Sequence, residues 1–473
     1  MKILILGAGQ VGSSAAYQLA RQEANEVTVV DVDSTVLREL QDRLDIRTVV
    51  GHGAHPDVLQ LAGAADADIL IALTSSDEVN MVACQVDRHF FDGGKPGAGR
   101  TRIARIRSAE YLRDAGEEGS LFSPQAIPVD VFISPEQLVT DHIEELVHFP
   151  GAFQVLDFAG GRVRLVGARA VEGGSLVNQQ IKSLKEHIPG VETRIAAIYR
   201  AGQSITPDGS TLIREGDEVF FIAATKDIRL VMSEMRKPEE SVRRITIAGG
   251  GAIGYRLARR LEMTNQVKVI ERDRNRARQI SERLAKAIVL HGDAADEELL
   301  LEENIDSADV FVSVTNAEEA NILSAMLAKR LGCKKVMALI NRPAYAELVE
   351  ESGSIDVAIS PQQVTISALL SHVRSGDVVK VHSLRRGQAE AIEAVAHGSA
   401  ASSRVVGRKI EDIPLPEGVT IGAIYRDGRV VQAHHDTAIE AGDHVIMFIT
   451  ERRQTQAVER LFATENESRA AAV

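Results

Sequence analysis

Near its amino end the chain alternates two hydrophobic patterns. Short, almost wholly apolar runs fall at 2–6, 27–30, 47–50, 69–73 and 102–106, and the stretches between them carry apolar residues at helical spacing. Such runs belong in strands buried on both faces, and buried strands separated by helices predict a parallel sheet covered by helices on both sides. Beyond residue 150 the pattern changes. Runs of four to six β-branched and apolar residues are broken by the turn signals "TPDG" and "REGD", which predicts a small mixed α+β sheet. Between the two lies "SPEQLVTDHIEELVHF", in which Leu138, Val139, His142, Ile143, Leu146 and Val147 recur at helical spacing behind Pro135. That stripe reads either as ordinary core or as a helix crossing over to fasten the two halves of the chain.

The whole pattern then recurs. "MKILILGAGQVG" is matched by "ITIAGGGAIG", and "VTVVDVD", ending at Asp33, by "VKVIERD", ending at Asp273. "GHGAHPDVLQLAGAADADILIALTSSDEVNMVACQV" matches "HGDAADEELLLEENIDSADVFVSVTNAEEANILSAML", setting Thr74 on Thr315 and Asn80 on Asn321. "VFISPEQ" pairs with "VAISPQQ". The segment from Ile195 aligns without a gap on that from Ile421, sharing Gly202/Gly428, Thr211/Thr437 and Gly216-Asp217/Gly442-Asp443. An internal duplication of order A, B, A′, B′ follows. The expected fold class is α/β, with two tandem Rossmann-like domains (1–150 and 242–376, each with its junction helix), each followed by a small α+β lobe (151–236 and 377–463), and a tail at 464–473. One asymmetry stands out: "FFDGGKPGAGRT" occupies the place where the second half has only "RLGCKK", and its glycines predict a surface loop with no assigned chemistry.

Composition narrows the function. A chain of 473 residues, 44% apolar, can bury several cores. Its net charge of −13 repels phosphate backbones and argues against general nucleic-acid binding. Two cysteines, Cys84 and Cys333, make no disulfide framework and point to a reducing compartment. The first residues run directly into a strand, without the basic segment and apolar run of a secretory signal. No apolar run approaches the ~20 residues of a membrane span. A cytoplasmic, soluble protein is expected; if it serves a membrane process, another chain forms the path.

The chemistry sits in the two glycine turns. Gly7, Gly9 and Gly12 in "GAGQVG", and Gly249, Gly251 and Gly254 in "GGGAIG", have the spacing that lets a strand turn sharply, a backbone approach a pyrophosphate, and a helix pack closely. The helix start then presents N–H groups and partial positive charge to the phosphates, which makes Ala8, Gln10, Val11, Gly250, Ala252 and Ile253 candidate contacts. An acid ends the following strand in each half, Asp31 and Glu271, 19 residues beyond Gly12 and 17 beyond Gly254. Such a carboxylate accepts ribose hydroxyls and repels a 2′-phosphate, so NAD(H) or an adenine nucleotide fits better than NADP(H). Thr74 and Thr315 end the fourth strand of each half, and Asp293 follows the third strand of the second. At the fifth strand "ARIR" supplies Arg105 and Arg107, which alternation places on one face, where "ALIN" offers Leu339 and Asn341. Arginine clamps polyphosphate and leucine cannot, so the first cleft is expected to hold the more highly charged ligand.

Other polar groupings carry less. His52 with His55, and His434 with His435, come without further metal ligands at suitable spacing and read as solvated loop histidines. A soluble NAD-dependent oxidoreductase is the alternative to a binding module, but it needs an acid or base presented to substrate. The halves share Tyr199/Tyr425 and Arg200/Arg426, which sit within a strand and read as structural. Duplicated catalysis should leave duplicated catalytic residues, and a regulator that changes shape around a nucleotide fits better.

The quoted motifs, together with "ARIRSAEYL", "NILSAMLAKRLGCKKVMALI", "ISPQQVTISALLSHVRSGDVV" and "GDHVIMFIT", resemble the TrkA family, NAD-binding peripheral subunits of bacterial Trk potassium uptake systems. The resemblance covers nearly the whole chain up to Phe462. It implies tandem RCK (KTN) domains, a tetrameric ring beneath a TrkH-like membrane potassium channel, and gating by NAD(H), ATP or ADP. It assigns nucleotide contacts to Gly7 through Val11, Asp31, Thr74, Ser75 and Arg105, with Arg107 toward the terminal phosphate of ATP, and to Gly249 through Ile253, Glu271 and Thr315. It implies no catalytic residue and no metal.

Overall fold

A computed structural model describes all residues except 22–24, 92–99, 109, 113–120, 124–125, 238–240, 374–376, 385–388, 451–453 and 464–473. The glycine-rich insertion and the tail fall largely outside the described residues. The chain forms two compact units, residues 1–138 with 361–373, and 139–360 with the remainder from 374.

In the first unit, β1 (Lys2–Leu6), β2 (Glu26–Asp31), β3 (Arg47–Val50), β4 (Ile69–Ala72), β5 (Thr101–Arg105) and β6 (Val131–Ile133) form one sheet of order β3-β2-β1-β4-β5-β6. Every pairing is parallel. Alternate residues of β1 bury on opposite faces, which is why the run is apolar throughout. Ile3 and Ile5 pack with Ala15, Ala16 and Leu19 of the helix Gln10–Ala20, whereas Leu4 and Leu6 pack with Leu59, Cys84 and Ala104. Each such side chain contributes about 1.5–3 kcal/mol on leaving water. The first face is completed from far along the sequence: Ile366, Leu369, Leu370 and Val373 of the helix Pro361–Val373 lie in the same cluster as Ile3 and Ile5.

The second unit repeats that architecture. Its strands β12 (Arg244–Ala248), β13 (Gln266–Glu271), β14 (Ile288–His291), β15 (Val310–Ser313), β16 (Lys335–Leu339) and β17 (Val357–Ile359) run in the order β14-β13-β12-β15-β16-β17, again all parallel. The helix Pro135–His148 serves this unit from Val139 onward. Asp141 and Glu144 accept from Arg260 Nη1 at 2.5 and 2.7 Å, and the Leu146 carbonyl accepts from Lys335 Nζ at 3.1 Å.

Two five-stranded sheets complete the second unit. Strands β7 (Ala152–Phe158), β8 (Val163–Arg169), β9 (Thr193–Arg200), β10 (Gln203–Ile205) and β11 (Glu218–Ala224) form one. Strands β18 (Val378–Leu384), β19 (Ala389–Val395), β20 (Val419–Arg426), β21 (Arg429–Gln432) and β22 (His444–Ile449) form the other. Both are antiparallel throughout. They share a core in which Phe220 meets Phe448 with ring centres 6.1 Å apart, among Leu156, Ile222, Ala391 and Ile446. Among the described residues, no helix is long and apolar enough to cross a membrane.

Candidate functional site

The three glycines of each turn answer to three separate physical demands. Gly7 and Gly249 lie at φ +100° and +105°, a left-handed backbone in which a side chain is strained. A Cβ on Gly12 or Gly254 would sit 1.9 Å from the carbonyl oxygen of Gly7 or Gly249, so only glycine lets the helix start so near the strand end. Gly9 and Gly251 differ from both. Their φ values of −65° and −70° suit any residue, and no heavy atom lies within 4 Å of where a Cβ would stand. The space above them is open rather than packed.

Behind that space stand two uncapped helix starts. Gly9 and Gly251 are the N-caps of Gln10–Ala20 and Ala252–Leu261, and neither helix has a side-chain cap bond. The helices that follow the second strand are capped, by Asp33 onto the Thr35 N–H and by Asp273 onto the Arg276 N–H. The free N–H groups of the two glycine-turn helices are those an anion requires.

Asp31 and Glu271 have a task the spacing did not reveal. Asp31 accepts the Ala8 N–H at 2.5 Å with one oxygen and the Asp33 N–H at 2.9 Å with the other. Glu271 likewise accepts from Gly250 and Asp273, both at 2.8 Å. Each carboxylate thus ties the glycine turn to the end of the second strand, and as an acceptor with two oxygens it keeps lone pairs beyond these two bonds.

Thr74 and Thr315 lie two residues past the ends of β4 and β15, against the glycine turns: the Cβ position of Gly7 is 3.0 Å from the Thr74 nitrogen, and that of Gly249 is 3.1 Å from the Thr315 nitrogen. A buried asparagine holds each. Asn80 Oδ1 accepts the Thr74 N–H and hydroxyl at 2.9 and 2.7 Å, and its amide donates to the Arg105 carbonyl at 2.9 Å. Asn321 repeats this with Thr315 at 2.8 and 2.6 Å and with the Leu339 carbonyl at 3.0 Å. Both asparagines are wholly buried. Their alignment was visible in the repeat, but not their work, which is to pin adjacent strand ends at the mouth of each cleft.

Arg105 closes β5 with its Nε buried and without a hydrogen-bond partner. Burial pulls its guanidinium below the ordinary arginine range, opposed by Glu136 and Asp77 and reinforced by Arg107. Arg107 departs from the strand-face expectation. The strand ends at Arg105 because Asp77 accepts the Arg107 and Ser108 N–H groups at 2.9 and 2.8 Å, and the Arg107 guanidinium turns back to the Ser75 carbonyl. Ser75 is exposed and Asp293 forms a local turn, accepting the Ala295 N–H at 2.9 Å. In the second half Leu339 is buried, but Arg342, which the sequence comparison passed over, lies three residues on and pairs with Glu319 at 3.2 Å. The second cleft therefore keeps an exposed cation at its rim.

Each unit thus carries a doubly wound sheet whose switch point, between the first and fourth strands of the sheet, opens onto a glycine turn, an acid and a threonine. This defines a class of tandem, doubly wound α/β modules, here joined to small antiparallel lobes. The TrkA-N domain family model matches residues 3–124 and 245–361, and the TrkA-C domain model matches 165–236 and 400–463. The chain belongs to the TrkA family of Trk system potassium uptake proteins. It is 56% identical over 462 residues to a Trk system potassium uptake protein TrkA of Halomonas elongata and to one of Vibrio alginolyticus, covering 98% of each chain. A homologue from Methanosarcina mazei is 31% identical over 465 residues, with 98% of this chain and 100% of that one covered. Among solved structures, the GsuK RCK domain aligns over 98% of this chain and 94% of its own with a TM-score of 0.58 at 19% identity, a likeness of fold.

Proposed function

We propose that the chain is the nucleotide-sensing regulatory subunit of a Trk-type potassium uptake system, holding NAD(H), ADP or ATP in its two glycine clefts. The observation that carries this reading is the open space above Gly9 and Gly251 at two uncapped helix starts, each beside a turn-locking carboxylate. The buried, unbonded Nε of Arg105 suits a phosphate oxygen, so the first cleft takes the more highly charged nucleotide. Residues 1–150 and 242–376 are then the sensing domains. Family membership supports the potassium context, and another chain, a TrkH-like channel, would form the path at the inner face of the membrane.

In this reading occupancy acts mechanically. A ligand preferring one arrangement of the domains shifts the population toward it, and a ring of four chains passes the change to the channel. A binding role rather than catalysis accords with how the lobes use their shared polar residues. Arg200 forks onto wholly buried Asp217 at 2.8 and 2.8 Å, and Arg426 onto Asp443 at 2.7 and 2.6 Å.

The test is calorimetric titration with NADH of the wild type and of Gly9→Glu and Gly251→Glu. The backbone angles at both positions accept a side chain and nothing obstructs it, so the new carboxylate stands where the pyrophosphate would. Each substitution should abolish one of two binding events while leaving the fold intact. Unchanged binding in both would end the proposal, and hydride transfer above background to a small substrate would restore the oxidoreductase alternative.

A further inference from the structure

One element carries opposite charge in the two halves of the chain. Counted from the acid that ends the second strand, residues 32–46 hold Arg38 and Arg43 against Asp33, Glu39, Asp42 and Asp45. Residues 272–286 hold Arg272, Arg274, Arg276, Arg278, Arg283 and Lys286 against Asp273 and Glu282. The first copy is acidic, whereas the second is strongly basic in a chain whose net charge is −13.

The fold puts the basic copy on the outside. The helix Arg274–Arg283 joins β13 to β14, and β14 is the outermost strand of its sheet. It packs inward through Ala277 and Ile280, and every other residue of the helix is exposed. Residues four or seven apart share a helix face, so Arg274 with Arg278, and Arg276 with Arg283, form two rows flanking a polar ridge of Asn275, Gln279 and Glu282.

The acids offset only part of this charge. Asp273 caps the helix by accepting the Arg276 N–H, and Glu282 pairs with Arg278 at 3.1 Å. The Arg276 guanidinium stands 4.0 Å from Glu271, whose two oxygens already accept backbone N–H groups. Arg272, Arg274, Arg283 and Lys286 have no ion-pair partner among the described residues.

What this face suits follows from what it lacks. An interface between folded proteins is built around a buried apolar centre, and the helix exposes no apolar side chain. Long cationic side chains in two rows match a plane of anionic headgroups, which demands charge and no pocket. We infer that this face docks the chain on an anionic lipid surface. The choice of a membrane rests on the proposed role beside a membrane channel, but the docking needs no channel. The rest of the chain is net acidic and is repelled by such a surface, so the basic face also fixes which side approaches it.

The experiment is flotation of the full chain, without any channel, on vesicles of phosphatidylcholine alone or of phosphatidylcholine and phosphatidylglycerol in equal amounts. Binding to the mixed vesicles only is expected, and it should vanish in about 1 M salt, where charges are screened within ~3 Å. Arg274→Gln, Arg283→Gln and Lys286→Gln, all at exposed positions, should each weaken it about fivefold, and the three together about a hundredfold. Arg38→Gln with Arg43→Gln, in the matching segment of the first half, should leave it unchanged. The triple variant should melt as the wild type does and bind NADH equally, so that loss of docking and loss of nucleotide binding are separate results. No binding to the mixed vesicles, equal binding to the uncharged ones, or an equal loss from the first-half substitutions overturns the proposal. So does tighter binding to a DNA duplex than to the vesicles, which would make this a nucleic-acid face. A triple variant that sediments differently in the absence of lipid overturns it too, since the face would then be a contact between copies of the chain.

Discussion

Asn80 shows how one residue can carry a whole cleft edge. It is fully buried and joins the Thr74 N–H, the Thr74 hydroxyl and the Arg105 carbonyl across two strand ends. Asn80→Ala leaves a buried donor and a buried acceptor unpaired and should cost about 2–4 kcal/mol in the first unit. Asn80→Asp keeps the acceptor but loses the donor. Hydrogen exchange read at single amides should show Thr74 losing protection in Asn80→Ala while Thr315, held by Asn321, keeps its own; equal loss at both would contradict the local role. At this scale the sequence was legible where a backbone demand selects one residue type. Gly7 and Gly12 declare themselves because an unusual φ or a close approach admits few alternatives. Pairings across distance were not legible. Nothing in the order of residues joins Asp31 to the Ala8 N–H or Arg200 to Asp217, since each type occurs in many places and only the folded turn brings them together.

The helix Pro361–Val373 belongs to the second half of the sequence and to the core of the first unit. Its apolar stripe was visible, and a crossover to the other half was one of the two readings the sequence left open, because hydrophobic spacing states that a face is buried without naming what covers it. The consequence is testable. Leu369 and Leu370 are 0% and 1% exposed beside Ile3 and Ile5, so Leu369→Ala should cost about 2–5 kcal/mol. The loss should appear as faster exchange in β1, more than 360 positions earlier, and not in β12. Destabilisation confined to β12 would refute the assignment. The helix also lies against the helix Gln10–Ala20: Gln362 Nε2 donates to the Gln10 carbonyl at 3.2 Å, beside the first glycine turn. An element rooted in the second half thus ends next to the first glycine turn.

For the molecule as a whole, acid sensitivity follows from two histidines in the second unit. Burial, with Lys335 nearby, lowers the pKa of His142 to about 4. Burial also lowers that of His382 to about 4, with Lys380 and His142 reinforcing the shift and the bond to the Asp157 carbonyl opposing it. Both are therefore neutral in the folded chain at neutral pH, and His382 Nε2 donates to that carbonyl at 3.2 Å. In the unfolded chain each titrates near ~6.5. Between that value and 4 the unfolded state binds protons that the folded state refuses, so stability falls as pH is lowered through this window and does not change above it. Each histidine should remove about 1 kcal/mol per pH unit once its partial exposure is discounted, against a limit of ~1.4. From pH 6.5 to 5.5, before most carboxylates titrate, that is about 2 kcal/mol for the pair, or a fall of several degrees in melting temperature. Thermal melts of wild type and of His142→Gln decide it. The variant should lose roughly half of the decline over that interval, and an unchanged slope would show that His142 already carries its proton in the folded chain.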